Sequence, residues 1–356
     1  MDTVEKIYKY AEDHADSTNR PHLGASIIGD QCSRKLWYTF RWASERKFDG
    51  RLLRLFQTGH LEEDRLIDAL KKVGVNVSQF VPGTKTQFSW SVIGGHFGGS
   101  CDGKGQGLEE VLKKVAILEF KTMAGKYFQS LKKDGVEKSQ YKHYCQMTLY
   151  MGWANLSYAY YLVKNKDTDE LYQEVVEYDQ ELFDKLIHKA TKIITSQNPL
   201  ERVSGKKTFY LCNMCDFRGV CWNNESVAVN CRTCLHSTPE IDSENRGLWR
   251  CEKYNAHVST EKQRVSSKCP SHLYIPSLLP YEVDDTNGNS VVYLLPDGTE
   301  AINGDGGYKS SEMWHLNPEV IKDETLNELR DVFGGTIVSS ETLNKTNPER
   351  RVFNDK

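Results

Sequence analysis

Val115-Ala116-Ile117-Leu118-Glu119-Phe120-Lys121 is the stretch on which the fold turns. Its continuous apolar start reads as a strand buried on both faces, suited to the middle of a sheet. Side chains alternate along a strand, so Glu119 and Lys121 share one face and Phe120 takes the other. A carboxylate and an ammonium at the end of a buried strand are unfavourable unless they pair or bind something.

Working outward, the pattern predicts helices on both sides. Upstream lie a short exposed helix over 2–15, a second beginning near Ser26 or Asp30 with Cys32, Leu36, Trp37 and Phe40 turned inward, and a third from about Arg51 to Val73, stopped by Gly74. The period then changes, and strands are expected over Val75–Val81, Thr86–Val92 and Gly95–Asp102. Downstream come helices from about Ala124 to Lys133 and Ser139 to Gly152, strands at Leu156–Val163 and Glu174–Tyr178, and a helix over Gln180–Ser196. This order predicts an α/β fold over residues 1–225, with a mixed central sheet flanked by helices. Composition shifts after Cys221. Residues 226–272 are rich in cysteine and poor in aliphatics, which calls for a staple and predicts a small zinc-binding module. Residues 273–356 read as a C-terminal α+β extension. It holds a hairpin around Val291–Leu295 beside the turn signals Asn287-Gly288 and Asp297-Gly298, a small helix near Leu326–Val332 and a loose last ten residues.

The 356 residues carry a formal net charge of −3, which excludes a globally basic coat but not a local track. Arg34, Lys35, Arg41, Arg46, Lys47, Arg51 and Arg54 are candidates for such a phosphate-binding track. No apolar run is long enough for a membrane helix, and the first residues lack the order of a signal peptide, so a cytoplasmic location without membrane contact is expected. There, 10 cysteines point to metals rather than disulfides.

Asp102 follows Gly98 and Gly99, small residues that permit close approach. Asp102 and Glu119 suit Mg²⁺ or Mn²⁺, hard ions that prefer oxygen. Lys121 would orient or help deprotonate the water attacking a phosphate ester. Taken alone, Glu-x-Lys is common on solvated strand faces. Three neighbouring segments strengthen it. Gly98-Gly99-Ser100-Cys101-Asp102-Gly103, Ile117-Leu118-Glu119-Phe120-Lys121-Thr122 and Tyr141 through Gln146 to Tyr150 resemble the successive motifs of the PD-(D/E)XK nucleases, in their RecB-like branch. The resemblance implies a restriction-endonuclease-like core. It places Gln146 and Tyr150 at the catalytic pocket, Tyr141 or Tyr150 along the DNA path, and the Phe120 carbonyl among the metal ligands. Phe56 to Glu63 is similar to the family's first motif, which makes Glu63 the third metal ligand, with His60 and Glu62 as competitors. Many relatives have histidine there; the glutamate resembles phage exonucleases. Gly98-x4-Gly103-Lys104-Gly105 brushes against a phosphate-binding loop, but glycine stands where the Mg²⁺-binding hydroxyl belongs, so an ATPase is rejected.

Cys32 and the cluster Cys212-x2-Cys215-x5-Cys221 frame this region, as a metal clip tying its two ends would. Cys32-Ser33-Arg34-Lys35-Leu36-Trp37-Tyr38 and the later spacing resemble the iron–sulfur RecB-like nucleases, the AddB subunit and the CRISPR-adaptation exonucleases, although Ser33 replaces their proline. The resemblance implies a 4Fe-4S cluster on the four thiolates, with zinc as the alternative. Cys231-x2-Cys234-x16-Cys251-x17-Cys269 is a second set, read as a zinc site, for which His236, His257 or His272 could replace one ligand. Cys101 and Cys145 remain and are read as small core residues facing away from the site.

The expectation is a divalent-metal-dependent DNA exonuclease or DNA-end-processing nuclease in phage recombination, repair or processing. It would act on single strands or DNA ends, alone or with a protein partner in a recombination complex. The competing readings are a DNA-binding or adaptor protein with a non-cleaving core and an RNA-directed nuclease.

Overall fold

The computed structural model describes residues 1–15, 19–45, 47–111, 114–241 and 244–338; Arg46 and the last ten residues lie outside them. The chain opens with helix α1 (Thr3–Asp13), capped by Asp2 and without a buried residue, then a two-residue strand β1 (Leu23–Gly24) and helix α2 (Ser33–Phe40). Cys32 is the residue that precedes the first turn of α2. Helix α3 (Gly50–Lys72) starts where the Asp49 carboxylate accepts from the Leu52 amide at 2.7 Å. Its Leu66, Ile67 and Leu70 are buried at helical spacing. Each contributes roughly 2 kcal/mol of burial, and truncating one to alanine would cost about 2–5 kcal/mol.

The strands that follow are β2 (Asn76–Ser78), β3 (Ser89–Val92), β4 (Phe97–Ser100), β5 (Gly103–Gln106) and β6 (Val115–Met123). Helices α4 (Gly125–Ser139, broken at Gly135 with φ 73°) and α5 (Tyr141–Ala154) lead to β7 (Tyr158–Asn165), β8 (Leu171–Glu177) and α6 (Gln180–Thr195). The central sheet has the order β2-β5-β6-β7-β8, with β6 and β7 parallel and the other pairs antiparallel. It is the mixed sheet expected, and β6 lies at its middle. The helical connection through α4 and α5 is what a parallel β6–β7 pair requires. One face carries Ala116, Leu118, Phe120, Tyr160 and Leu162 against α3. The other carries Ile117, Tyr161 and Val163 against α5 and α6.

The strand expected over Gly95–Asp102 is β4. It joins a separate sheet of order β1-β4-β3, and β5 begins only after Asp102. Glycines let β4 pack closely. A side chain at Gly98 would meet the Trp90 carbonyl oxygen at 2.2 Å, and one at Gly99 would meet the Tyr150 hydroxyl at 2.8 Å. Asp102 therefore stands at the corner between two sheets.

Beyond α6 the chain makes two short helices, α7 (Tyr210–Asn213) and α8 (Arg218–Trp222), and a small sheet of β9 (Ser237–Pro239), β10 (Trp249–Cys251) and β11 (Ala256–Val258). The expected hairpin is a three-stranded meander, β12 (Glu282–Thr286), β13 (Ser290–Leu294) and β14 (Glu300–Gly304), with Gly288 and Gly298 at φ 81° and 80° in its turns. The helix expected near Leu326 spans Glu324–Phe333.

Trp249, Leu273, Tyr274, Val291 and Tyr293 pack in the same hydrophobic core as Leu23, Trp37, Phe40 and Tyr161. Two buried arginines join the halves. Arg232 donates to the carbonyls of Phe40 (2.9 Å) and Pro21 (2.8 Å) and to Gln263 Oε1 (2.7 Å), and lies over the Trp42 ring at 3.8 Å. Arg41 donates to the carbonyls of Ser196 (2.9 Å) and Arg232 (3.2 Å) between the rings of Trp37 and Trp249. This corrects the reading of Arg41 as part of a surface track: it is 1% exposed and serves the core.

Candidate active site

The ladder between β5 and β6 runs only from Gln106↔Val115 to Gly103↔Leu118. Past its end the Phe120 amide donates to Asp102 Oδ2 at 2.7 Å. The corner that divides β4 from β5 thus aims Asp102 at β6. Glu119 and Lys121, on one face of that strand, form an ion pair. Glu119 is 0% exposed, and its Oε2 has no hydrogen-bond partner. Glu63 stands on α3, one turn before Leu66 and Ile67, near enough for Asp102 and Lys121 to act on its charge.

Electrostatics bind these groups into one cluster. Burial raises the Glu119 carboxyl to about 8, with Lys121 opposing and Asp102 and Glu63 adding repulsion. Burial and Asp102 raise Glu63 to about 7. Burial also raises Asp102, against the pull of Lys121 and the Phe120 amide. Burial would lower Lys121, but the charges of Glu119 and Asp102 outweigh it and hold the ammonium protonated. Three carboxyl groups resisting ionisation together, one with a bare buried oxygen, are what a divalent cation relieves. The oxygen donors suit Mg²⁺ or Mn²⁺. Of Glu63's competitors, Glu62 is engaged by Lys164 (2.9 Å) and Arg65 (3.3 Å). His60 lies near enough for its charge to act on Asp102.

Helix α5 closes the pocket. Gln146 donates to the Tyr150 hydroxyl at 3.1 Å, and burial followed by the Glu119 charge raises that phenol. Trp90 stacks on Tyr150 with ring centroids 5.6 Å apart. The sequence did not point to Trp90, nor to His143, whose Nδ1 lies 2.6 Å from the Tyr161 hydroxyl. Tyr161 pairs with Glu119 in the sheet register, a partnership visible only once β6 and β7 are paired. Tyr141, at the start of α5, is exposed.

Cys32, Cys212, Cys215 and Cys221 line one cavity of about 200 Å³. Asp30 orders its entrance, accepting from the Cys32 amide (3.0 Å), Lys35 (3.0 Å) and Lys142 of α5 (2.9 Å). Arg202 donates to the Cys221 sulfur at 3.3 Å, and the Phe217 amide to Cys215. Arg34 and Lys35 line this cavity; Arg34 also donates to the Leu200 carbonyl. Cys231, Cys234, Cys251 and Cys269 line a second cavity of about 310 Å³, with His236, His257 and His272. Among the described residues, no three His, Cys, Asp or Glu side chains converge closely enough to hold an ion as they stand. The two sets of cysteines line separate cavities, and none of the ten cysteines is in a disulfide. Cys101 and Cys145 are buried as expected, although Cys101 does not escape the acids: burial first and then Glu119 push its thiol to about 12.

No family model and no curated protein matches the chain. Among solved structures, an alkaline exonuclease (LHK-Exo) from Laribacter hongkongensis is 14% identical with a TM-score of 0.34, over 53% of this chain and 90% of that one. The same exonuclease in complex with dAMP gives 13% and 0.33, over 53% and 90%. The structure of SSO0001 gives 14% and 0.37, over 63% of this chain and 97% of that one. These are loose likenesses of shape. Among the described residues, no helix is long and apolar enough to cross a membrane.

Proposed function

We propose that the chain is a divalent-metal-dependent DNA nuclease of the PD-(D/E)XK type, an exonuclease or DNA-end-processing enzyme. The observation that carries this reading is the gathering of Glu63, Asp102 and Glu119 around Lys121, with one Glu119 oxygen buried and bare. Glu63, Asp102 and Glu119 would hold Mg²⁺ or Mn²⁺, with the Phe120 carbonyl beside them. When bound, the ion supplies charge stabilisation at the phosphate and lowers the pKa of a water. Lys121, kept protonated by the acids, orients the attacking water and balances negative charge developing on the non-bridging oxygens of the phosphate. Asp102 and the Phe120 amide fix the sheet corner on which the cluster rests. Gln146 and Tyr150, held by Trp90, wall the pocket and position the strand; Tyr141 lies exposed on the same helix for the DNA path.

On the same reading, Cys32, Cys212, Cys215 and Cys221 hold a 4Fe-4S cluster. Four sulfurs on one cavity wall, with Lys35, Arg34 and Arg202 at hand for the charge of a thiolate-bound cluster, support it. The setting proposed is DNA recombination, repair or processing, with phage recombination as one case and a protein partner as another component.

The test is cleavage of end-labelled single- and double-stranded DNA, linear and circular, by anaerobically purified protein with Mg²⁺ or Mn²⁺. Metal-dependent loss of linear DNA that disappears in Glu119→Ala is expected. No cleavage by cluster-loaded protein would favour the DNA-binding or adaptor reading, and cleavage confined to RNA would move the substrate class.

A further inference from the structure

The small sheet β9-β10-β11 poses a problem that its own packing does not solve. Each strand has three residues, and only Trp249, Val258 and Ser237 among their side chains are buried. A sheet of that size is marginal without further support. Three chain segments nevertheless converge at its edge. Cys231 and Cys234 lie on one tight turn, closed by the Cys234 amide on the Cys231 carbonyl at 3.3 Å. Cys251 ends β10, and Cys269 follows the turn Ser266–Lys268.

We propose that Cys231, Cys234, Cys251 and Cys269 bind one structural zinc ion that fastens this sheet to the Arg232 junction. The four thiols share a cavity wall, and Cys231 feels both Cys269 and Cys251. Donors already point at one of the sulfurs: the amides of His236 and Leu273 at Cys234. Such donors suit thiolates, the form in which cysteine binds zinc. Lys253 and Lys262 at the rim supply positive charge against four thiolates.

An independent sign that something belongs there is His272. It is 3% exposed and lies on the same wall; its Nε2 donates to the Asn230 carbonyl at 3.0 Å, while Nδ1 is buried without a partner. A bare buried nitrogen on the wall that the four thiols line is a polar group left without its partner. His257 is the weaker histidine candidate, because its Nδ1 is taken by Glu240 at 2.8 Å. The tie reaches the core directly: Arg232 follows the first cysteine of the turn, and its guanidinium holds the carbonyls of Phe40 and Pro21. Zinc at the turn would therefore set the register of the whole C-terminal half on α2.

The inference stands apart from the nuclease reading, and its readout is metal content. The full chain, purified from zinc-supplemented culture, should carry one zinc per chain by elemental analysis. Cys251→Ser and Cys269→Ser should each lose that zinc while keeping whatever iron the wild type holds. Should these variants fail to fold, X-ray absorption at the zinc edge of the wild type decides, with four sulfurs at about 2.3 Å expected. A wild type without stoichiometric zinc overturns the proposal. Zinc retained in both variants, or a shell of three sulfurs and one nitrogen, overturns the four-cysteine assignment.

Discussion

The carboxylate cluster and the thiol cavities are built on opposite plans. Glu119 and Lys121 share a strand, Asp102 stands at the sheet corner, and Glu63 rides the helix packed on that sheet, so the cluster is placed by regular elements and their buried faces. The thiols sit on turns and on helices of four or five residues, drawn together from positions as distant as Cys32 and Cys221. Secondary structure brings the acids near enough to act on one another's charge, although as they stand no three of the described side chains converge closely enough to hold an ion. The thiols depend on buried side chains, on Asp30 and Arg232, and on what binds them. Loss of a ligand should therefore abolish chemistry at the first site and loosen structure at the second.

The largest effect should be Lys121→Ala, lowering cleavage by about 100- to 1,000-fold with DNA binding retained in a mobility-shift assay. A comparable loss of binding would mean that Lys121 grips substrate rather than serving the chemistry. Glu119→Gln sharpens the contrast without a substrate. It should erase the rise in melting temperature that Mg²⁺ bound at this site would give the wild type.

Next is Arg232→Ala. It strips donors from two buried carbonyls and Gln263 and uncovers Trp42, for a loss of about 3 kcal/mol in denaturant unfolding. Arg232→Lys should not restore it, since a single ammonium does not span three acceptors in the guanidinium's planar fork. Rescue by lysine would show that charge, not geometry, holds the halves together. A smaller effect, about 1 kcal/mol because Lys142 is half-exposed, is expected from Asp30→Asn. That variant keeps an oxygen for the Cys32 amide but loses the ion pairs to Lys35 and Lys142. Faster bleaching of the proposed iron–sulfur chromophore should accompany a drop in the proposed cleavage, because Lys142 lies one turn before Gln146. Bleaching with unchanged cleavage would sever the two regions.

The acid half was more legible in sequence than the rest because it follows periodicity. A continuous apolar run announces β6 and alternation puts Glu119 beside Lys121, whereas Glu63 was pointed to by the resemblance of Phe56–Glu63 and not by periodicity. The strand over Gly95–Asp102 and the close approach its glycines permit were legible, but its place in a second sheet was not, because strand pairing has no local signature. Cysteine spacing grouped both sets of thiols. It did not foretell Asp30, Arg41 or Arg232, whose roles arise from partners as many as 211 residues away. A charged residue in a cysteine-rich turn looks like a surface residue until its acceptors are known.

His143 lies between the two plans and reports on both. It sits on α5 beside Lys142, which serves the thiol side, and before Gln146, which serves the acids. Burial, then Lys121 and Lys142, lower its pKa to about 3. The unfolded chain takes up this proton below about 6.5, whereas the folded chain does not until near 3. Stability present above pH 6.5 is therefore lost as pH falls toward 3, by about 1 kcal/mol for the first unit. His143→Gln should flatten that part of the stability profile. Lys121→Ala should do so in part, since one of the two ammonium groups is gone, and the His143 ring resonances followed by NMR should titrate at higher pH than in the wild type. A ring unmoved by either Lys121→Ala or Lys142→Ala would show that burial alone keeps it neutral, and that α5 carries no electrostatic link between the acids and the thiol clip.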